Sequence, residues 1–281
     1  MKLTKLFTSM NILKNCILLI LLSTTISKAE INIKIYYEQF ENGYNIYADN
    51  QEFCPVSVKI NFTTTNLNIN GGNNKVYVVN SQTKKQLLTS LSVLKQGMPY
   101  KFSYQTNFNY GDYYNTAYDE NFIYDLPFKK SEKFSVLQGY NGSFSHQNEN
   151  SLDFSMPIGT ELFAIRDGIV IKVIDHNNRN CATKDCAKYN NTIIIYHSDG
   201  TFAEYAHLKQ KGAIVKVGDQ ITKGQLIGYS GNVGWSSVAH LHLVIFKQEL
   251  ENRVTLKTRF KIENGDKNEY LIESKVYSKN Y

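Results

Sequence analysis

Ala239-His240-Leu241-His242-Leu243-Val244-Ile245-Phe246 is the stretch on which the reading turns. In an extended strand, residues two apart project from the same face. Leu241, Leu243 and Ile245 then point into a core, while His240 and His242 share the opposite side. Two imidazoles on one face of an apolar strand are costly to bury without partners. They are either metal or catalytic groups, or a satisfied pair in the core.

Outward from that run, strand patterns dominate. Ala164–Ile174 (AIRDGIVIKVI) and Asn191–Tyr196 (NTIIIY) are β-branched and apolar. The segment from Val215 to Gly228 reads as strand, turn, strand, turn, punctuated by Gly218-Asp219 and Gly224. Towards the C-terminus, Val254–Ile262 and Glu269–Tyr277 flank the turn Glu263-Asn264-Gly265-Asp266 and predict a hairpin. Towards the N-terminus, Ile31–Tyr37, Tyr44–Ala48, Val56–Phe62, Lys75–Val79 and Lys101–Thr106 alternate between Asn/Gly-rich turns. Short strands at that spacing predict an Ig-like β-sandwich. A helical period shows only weakly, near Lys84–Leu94. The expected fold is all-β, with a sandwich over residues 30–128, a second antiparallel domain over 129–250 and a hairpin extension over 251–281.

The first 29 residues read differently. Lys2, Lys5 and Lys14 precede the apolar run Cys16–Ile26, and Ser27-Lys28-Ala29 supplies small residues where a signal peptidase cuts. That pattern predicts a secretory signal peptide. An apolar helix of that length reaches only about 16 Å, against a hydrocarbon core of ~30 Å, which argues against an uncleaved anchor. The expected product is exported, periplasmic or extracellular, with no stable membrane insertion. The whole chain is formally +6. Removing Lys2, Lys5, Lys14 and Lys28 from its 31 basic residues leaves 27 against 25 acidic ones. So even a balance argues against a nucleic-acid partner, which needs a basic face. A 42% hydrophobic content excludes general disorder.

Cys181 and Cys186 bracket a loop that an oxidising compartment can close as a disulfide. A zinc knuckle would need two further ligands nearby, and none is there. Cys54 reads as a small buried hydrophobe. Residues 107–128 crowd Tyr110, Tyr113, Tyr114, Tyr118 and Tyr124 among acidic residues, as a connection docked between domains or an aromatic platform. A further expectation is that the segment 107–124 shields a catalytic cleft, and that Cys54 does not touch a metal.

All six histidines lie beyond Ser145, so imidazole chemistry belongs to the second domain. Three more stretches accompany the His-x-His run: Ser145-His146 with Leu152-Asp153-Phe154-Ser155-Met156-Pro157-Ile158-Gly159-Thr160; Glu204-Tyr205-Ala206-His207; and Gly231 through Trp235 to His240. In this order they resemble the LytM/lysostaphin-type zinc endopeptidases of peptidase family M23, over roughly Val136–Lys247. The resemblance implies an antiparallel β-sheet catalytic domain. It implies a Zn²⁺ cofactor held by His146, Asp153 and His242, with His207 and His240 as catalytic histidines, and peptides of peptidoglycan as substrate. Family members commonly place three residues between the first His and the Asp; here six intervene. Glu149 is therefore the rival to Asp153. His176 and His197 read as turn residues outside the site, and Tyr140 as either an entrance or a packing residue.

Two other function classes remain open. A biotinyl- or lipoyl-type carrier shares the glycine-turn pattern but needs a lysine at a hairpin tip, which is not seen. A non-catalytic relative that activates another hydrolase, or a cell-wall binding module, would be expected to have lost metal ligands.

Overall fold

The structure is a computed structural model that describes residues 31–115 and 117–281; the leader expected over residues 1–29 lies outside the described residues. Two sheets form the first part. One orders Ile33–Phe40, Gly43–Asn50, Thr83–Val93 and Leu67–Ile69; the other orders Lys75–Val79, Val56–Thr65 and Lys101–Tyr110. In Val56-Ser57-Val58-Lys59-Ile60-Asn61-Phe62 every second residue is branched or aromatic, so the pleat sends Val56, Val58, Ile60 and Phe62 to one side. There they meet Ile46, Ala48 and Leu91 of the other sheet. Each such fully buried side chain contributes roughly 1.5–3 kcal/mol over an exposed one. The weak helical period near Lys84–Leu94 is overridden. Thr83–Val93 is a strand paired with Gly43–Asn50, because Leu87 stays exposed while Leu91 enters the core, leaving a helical face nothing to cover.

The second part is built on one long antiparallel sheet. Its order is Gln220–Ile221, Gly168–Ile174, Thr192–Tyr196, Phe202–Ala206, Leu241–Gln248, Ser151–Phe154, Lys133–Gln138 and Val276–Ser278, with Arg253–Thr255 also pairing on Leu241–Gln248. The His-x-His strand is thus near the centre. Leu241, Leu243 and Ile245 enter a core with Leu152, Phe154, Ile193 and Tyr205. The opposite face is apolar further along, where Val244 and Phe246 pack with Ile171, Phe202 and Cys54. Cys54 and its neighbour Phe53 belong to the first part of the chain, so the sandwich roofs one end of the sheet. Gly218 makes the approach possible: its φ is +93°, and a Cβ there would lie 2.7 Å from a Phe53 ring carbon.

Some elements differ in extent from expectation. The strand predicted from Ala164 begins at Gly168, because Ala164-Ile165 turns inward and the Ile165 amide donates to the Tyr205 hydroxyl at 2.9 Å. In the C-terminal segment, Arg259–Ile262 and Lys267–Tyr270 pair with each other. The flanking Arg253–Thr255 and Val276–Ser278 instead join the long sheet. Tyr124, Leu126 and Phe128, at the expected domain boundary, lie in the second core. Residues 31–281 together form one compact unit. Among the described residues no helix is long and apolar enough to cross a membrane.

Candidate metal centre

Asp153 stands directly opposite His242 in the pairing of Ser151–Phe154 with Leu241–Gln248. Directly opposed residues present their side chains on the same face, and His242 Nδ1 lies 2.9 Å from Asp153 Oδ1. His146 arrives from the loop before Ser151. Its Nε2 lies 3.2 Å from Asp153 Oδ2 and 3.3 Å from His242 Nδ1. The six residues between His146 and Asp153 are taken up by a tight turn. The Glu149 amide donates to the His146 carbonyl at 2.9 Å, and Asn148 adopts φ +61°, a left-handed conformation that Asn tolerates better than most. Glu149 is carried away from the centre: it pairs with Arg253, which also binds Glu204.

Three of these imidazoles have their tautomer fixed by a backbone carbonyl, which accepts only. His146 Nδ1–H donates to Gly139 O at 3.0 Å, His207 Nδ1–H to Val233 O at 2.9 Å and His240 Nδ1–H to Val238 O at 2.8 Å. Nε2 of each then carries a lone pair. For His146 that lone pair faces the Asp153 carboxylate and His242 Nδ1. Acceptors turned towards one another need a positive charge between them, a proton or a cation. His146, Asp153 and His242 offer ligand atoms all within 4.8 Å of one another. Two nitrogens and one carboxylate oxygen suit a borderline-soft divalent ion, so these residues fit a zinc-type centre.

His207 and His240 stand beside it. Their ring centroids are 4.6 Å apart, and His207 is 5.8 Å from His242. His240 Nε2 lies 3.7 Å from Asp153 Oδ1. His207 follows the strand Phe202–Ala206 with φ +65°, a strained position for a non-glycine residue. Burial, together with the charges of His240 and His242, pushes His207 down to about 3. Burial also lowers His240. Both are therefore neutral near pH 7. Burial would raise Asp153, but the His146, His242 and His240 imidazoles around it, which favour its negative charge whenever one of them is protonated, hold it well below the usual carboxylate range. For His146, burial opposes the charge, and Asp153 outweighs it, so the net direction is up.

The five side chains line one cleft of about 570 Å³, bounded by Phe144, Trp235, Val238, Lys184 and Glu273 among others. One wall is the loop closed by the Cys181–Cys186 disulfide. That loop is tied to Trp235, whose indole N–H donates to Ala182 O at 3.2 Å.

Several residues at the site were not singled out from sequence. Gln138 donates to Asp153 Oδ2 at 3.1 Å, while its carbonyl oxygen accepts from the Phe144 and Ser145 amides. Ser236 Oγ lies 3.2 Å from His240 Nδ1. The expectation that residues 107–124 shield the cleft is overturned, since none of the described residues of that segment lines it. Instead the Tyr113 amide donates to Ser57 Oγ, Tyr114 OH to Val76 O, and the Asp119 amide to Asp199: the segment is a docked connection. Cys54 is buried under the sandwich, away from the cleft. Tyr140 packs, its hydroxyl donating to Thr258 O at 2.8 Å. His176 is exposed. His197, although at a turn, is fully buried, because Tyr124 stacks edge-on against it and Asp167 O binds its Nδ1.

Residues 147–254 match the model for peptidase family M23. A Buchnera aphidicola protein described as an uncharacterized metalloprotease is 32% identical over 139 residues, 48% of this chain and 34% of that protein. The peptidoglycan DD-endopeptidase ShyA of Vibrio cholerae is 34% identical over 93 residues, 33% of this chain and 19% of that protein. The catalytic domain of the antimicrobial peptidase lysostaphin from Staphylococcus simulans aligns with 29% identity and a TM-score of 0.31, over 41% of this chain and 79% of that one. The M23 match thus covers the central strands of the long sheet, with Asp153, His207, His240 and His242, and begins one residue after His146. The chain spans about a third of the first of these relatives and about a fifth of the second.

Proposed function

We propose that the protein is an exported zinc metalloendopeptidase that cleaves peptide cross-links of bacterial peptidoglycan, in the periplasm or outside the cell. The observation that carries this reading is the convergence of His146, Asp153 and His242, with His207 and His240 beside them, in a single cleft. His146, Asp153 and His242 would hold the ion. Zinc, when bound, supplies Lewis-acid polarisation of the scissile carbonyl and lowers the pKa of a bound water. The rest falls to the chain. His207 and His240, anchored at Nδ1 and neutral near pH 7, present Nε2 as proton acceptors. A water attacking a peptide carbonyl gives up its proton to one of them. The resulting imidazolium stabilises the developing oxyanion and returns the proton to the departing amine. Gln138 and the backbone carbonyls of Gly139, Val233 and Val238 keep these groups from rotating.

The two sheets between Ile33 and Tyr110 are read as an Ig-like accessory domain, and residues 251–281 as an extension of the 129–250 catalytic domain, whose core also takes in Tyr124, Leu126 and Phe128. The substrate class follows that of the similar peptidoglycan DD-endopeptidase of Vibrio cholerae. Protein recovered after export and loaded with one equivalent of zinc should release new amine termini from purified muropeptides, read by mass spectrometry. Zinc-loaded protein that leaves cross-linked muropeptides intact would refute the assignment.

A further inference from the structure

The loop that delivers His146 runs from Gly139 to Asn150, and both of its ends are tied to the segment 255–273, beyond the matched M23 region. At the first end, the Gly139 amide donates to Glu273 Oε2 at 3.0 Å, while the Gly139 carbonyl takes the His146 Nδ1 proton. One residue therefore links Glu273 to the imidazole. The contact is close: a Cβ on Gly139 would lie 3.3 Å from both Cβ and N of Glu273. Next along, the Tyr140 hydroxyl donates to Thr258 O. At the other end, the Asn150 amide donates to Thr255 Oγ1 at 2.8 Å, and its side-chain NH₂ donates to Thr255 O at 3.0 Å.

We propose that this C-terminal segment is a clamp that positions His146, with Glu273 acting through Gly139 and Thr255 acting through Asn150. The proposal rests on the reading of His146 as a metal ligand. An imidazole on a loop reaches its ion with the right direction only if the loop is held, and partners one step beyond the ligands set metal affinity by 10–100-fold. A carboxylate binding a backbone N–H is among the stronger hydrogen bonds available for this. Glu273 and Thr255 are positioning residues; neither touches the converging ligand atoms.

The test uses the full exported protein and three readouts: zinc affinity by chelator competition, kcat and KM on a muropeptide, and the melting temperature of the metal-free form. Glu273→Ala should weaken zinc binding about tenfold and lower kcat at subsaturating zinc, with KM unchanged. Glu273→Gln keeps an oxygen that accepts from the Gly139 amide and should recover most of the affinity. Thr255→Val should weaken zinc binding in the same direction and Thr255→Ser should restore it, which keeps the test open if Glu273→Ala does not fold. Wild-type zinc affinity in both Glu273→Ala and Thr255→Val overturns the clamp. So does a raised KM at normal zinc affinity, which would make Glu273 a substrate contact. A wild-type protein that binds no zinc removes the proposed function itself, and the clamp with it.

Discussion

Acid should destabilise this fold through a histidine that has no part in the chemistry. His197 is fully buried, and burial pushes its pKa from the ordinary 6.5 down to about 4, with Arg166 adding to the effect and Asp167 opposing it. The folded protein keeps this ring neutral, whereas the unfolded chain protonates it as pH falls through 6.5. Below that point the unfolded state binds a proton that the folded state refuses, so stability falls with pH until the folded ring also titrates near 4. At ~1.4 kcal/mol per pH unit, the full effect is roughly 3 kcal/mol, a large share of the 5–15 kcal/mol typical of a domain. His197→Asn removes the titration while leaving an amide to donate to Asp167 O, the bond now made by Nδ1–H at 2.7 Å. Urea unfolding of zinc-loaded wild type and variant, at steps from pH 7 to pH 4, gives the comparison. The variant should be less stable at pH 7 because it fills less volume, yet should lose roughly 3 kcal/mol less on acidification. Parallel stability curves for the two proteins would refute the reasoning.

Three shorter predictions concern the site and the thiol. Asp153→Ala should bind well under one equivalent of zinc, since two ligands hold the ion poorly, whereas Glu149→Ala should reach one equivalent at saturating zinc; the reverse result would exchange their roles. His207→Ala and His240→Ala should keep the metal and lose about 10²–10⁴-fold in turnover, and metal loss in His240→Ala would place it among the ligands. Burial pushes the Cys54 thiol up to about 12, so iodoacetamide at pH 8 should leave it unmodified until the protein unfolds; fast labelling of native protein would contradict its placement under the sandwich.

Much of this was legible in the sequence because period-2 alternation is local. Val56–Phe62 and the His-x-His strand declare their faces within a few residues, and the motif order around His146, Asp153, His207 and His242 marks the site. What stayed hidden depends on partners remote in the chain. His197 could not be told from an exposed turn residue, since Tyr124 and Arg166 come from other segments. Val244 and Phe246 complete an apolar run whose second face is covered by Cys54, far upstream. Gln138 has no signature beyond an ordinary strand glutamine, and carbonyls such as Gly139 O and Val233 O carry no side-chain identity at all. The weak helix near Lys84–Leu94 failed because a neighbouring strand offered its backbone better pairing than an isolated amphipathic turn could.

The pairing of Val276–Ser278 with Lys133–Gln138 has a consequence for how the protein is made. Synthesis runs from N- to C-terminus, so the 133–138 strand is made long before the residues that cover its edge. During that interval it presents open backbone donors and acceptors, a known route to wrong partners, and the late closure is of the slow, non-local kind. The loop carrying His146 is tied by residues just upstream of that same closing strand. A ribosome still holding residues near 270 therefore holds a chain whose candidate metal centre is not yet set, and the centre is completed only with near-complete synthesis.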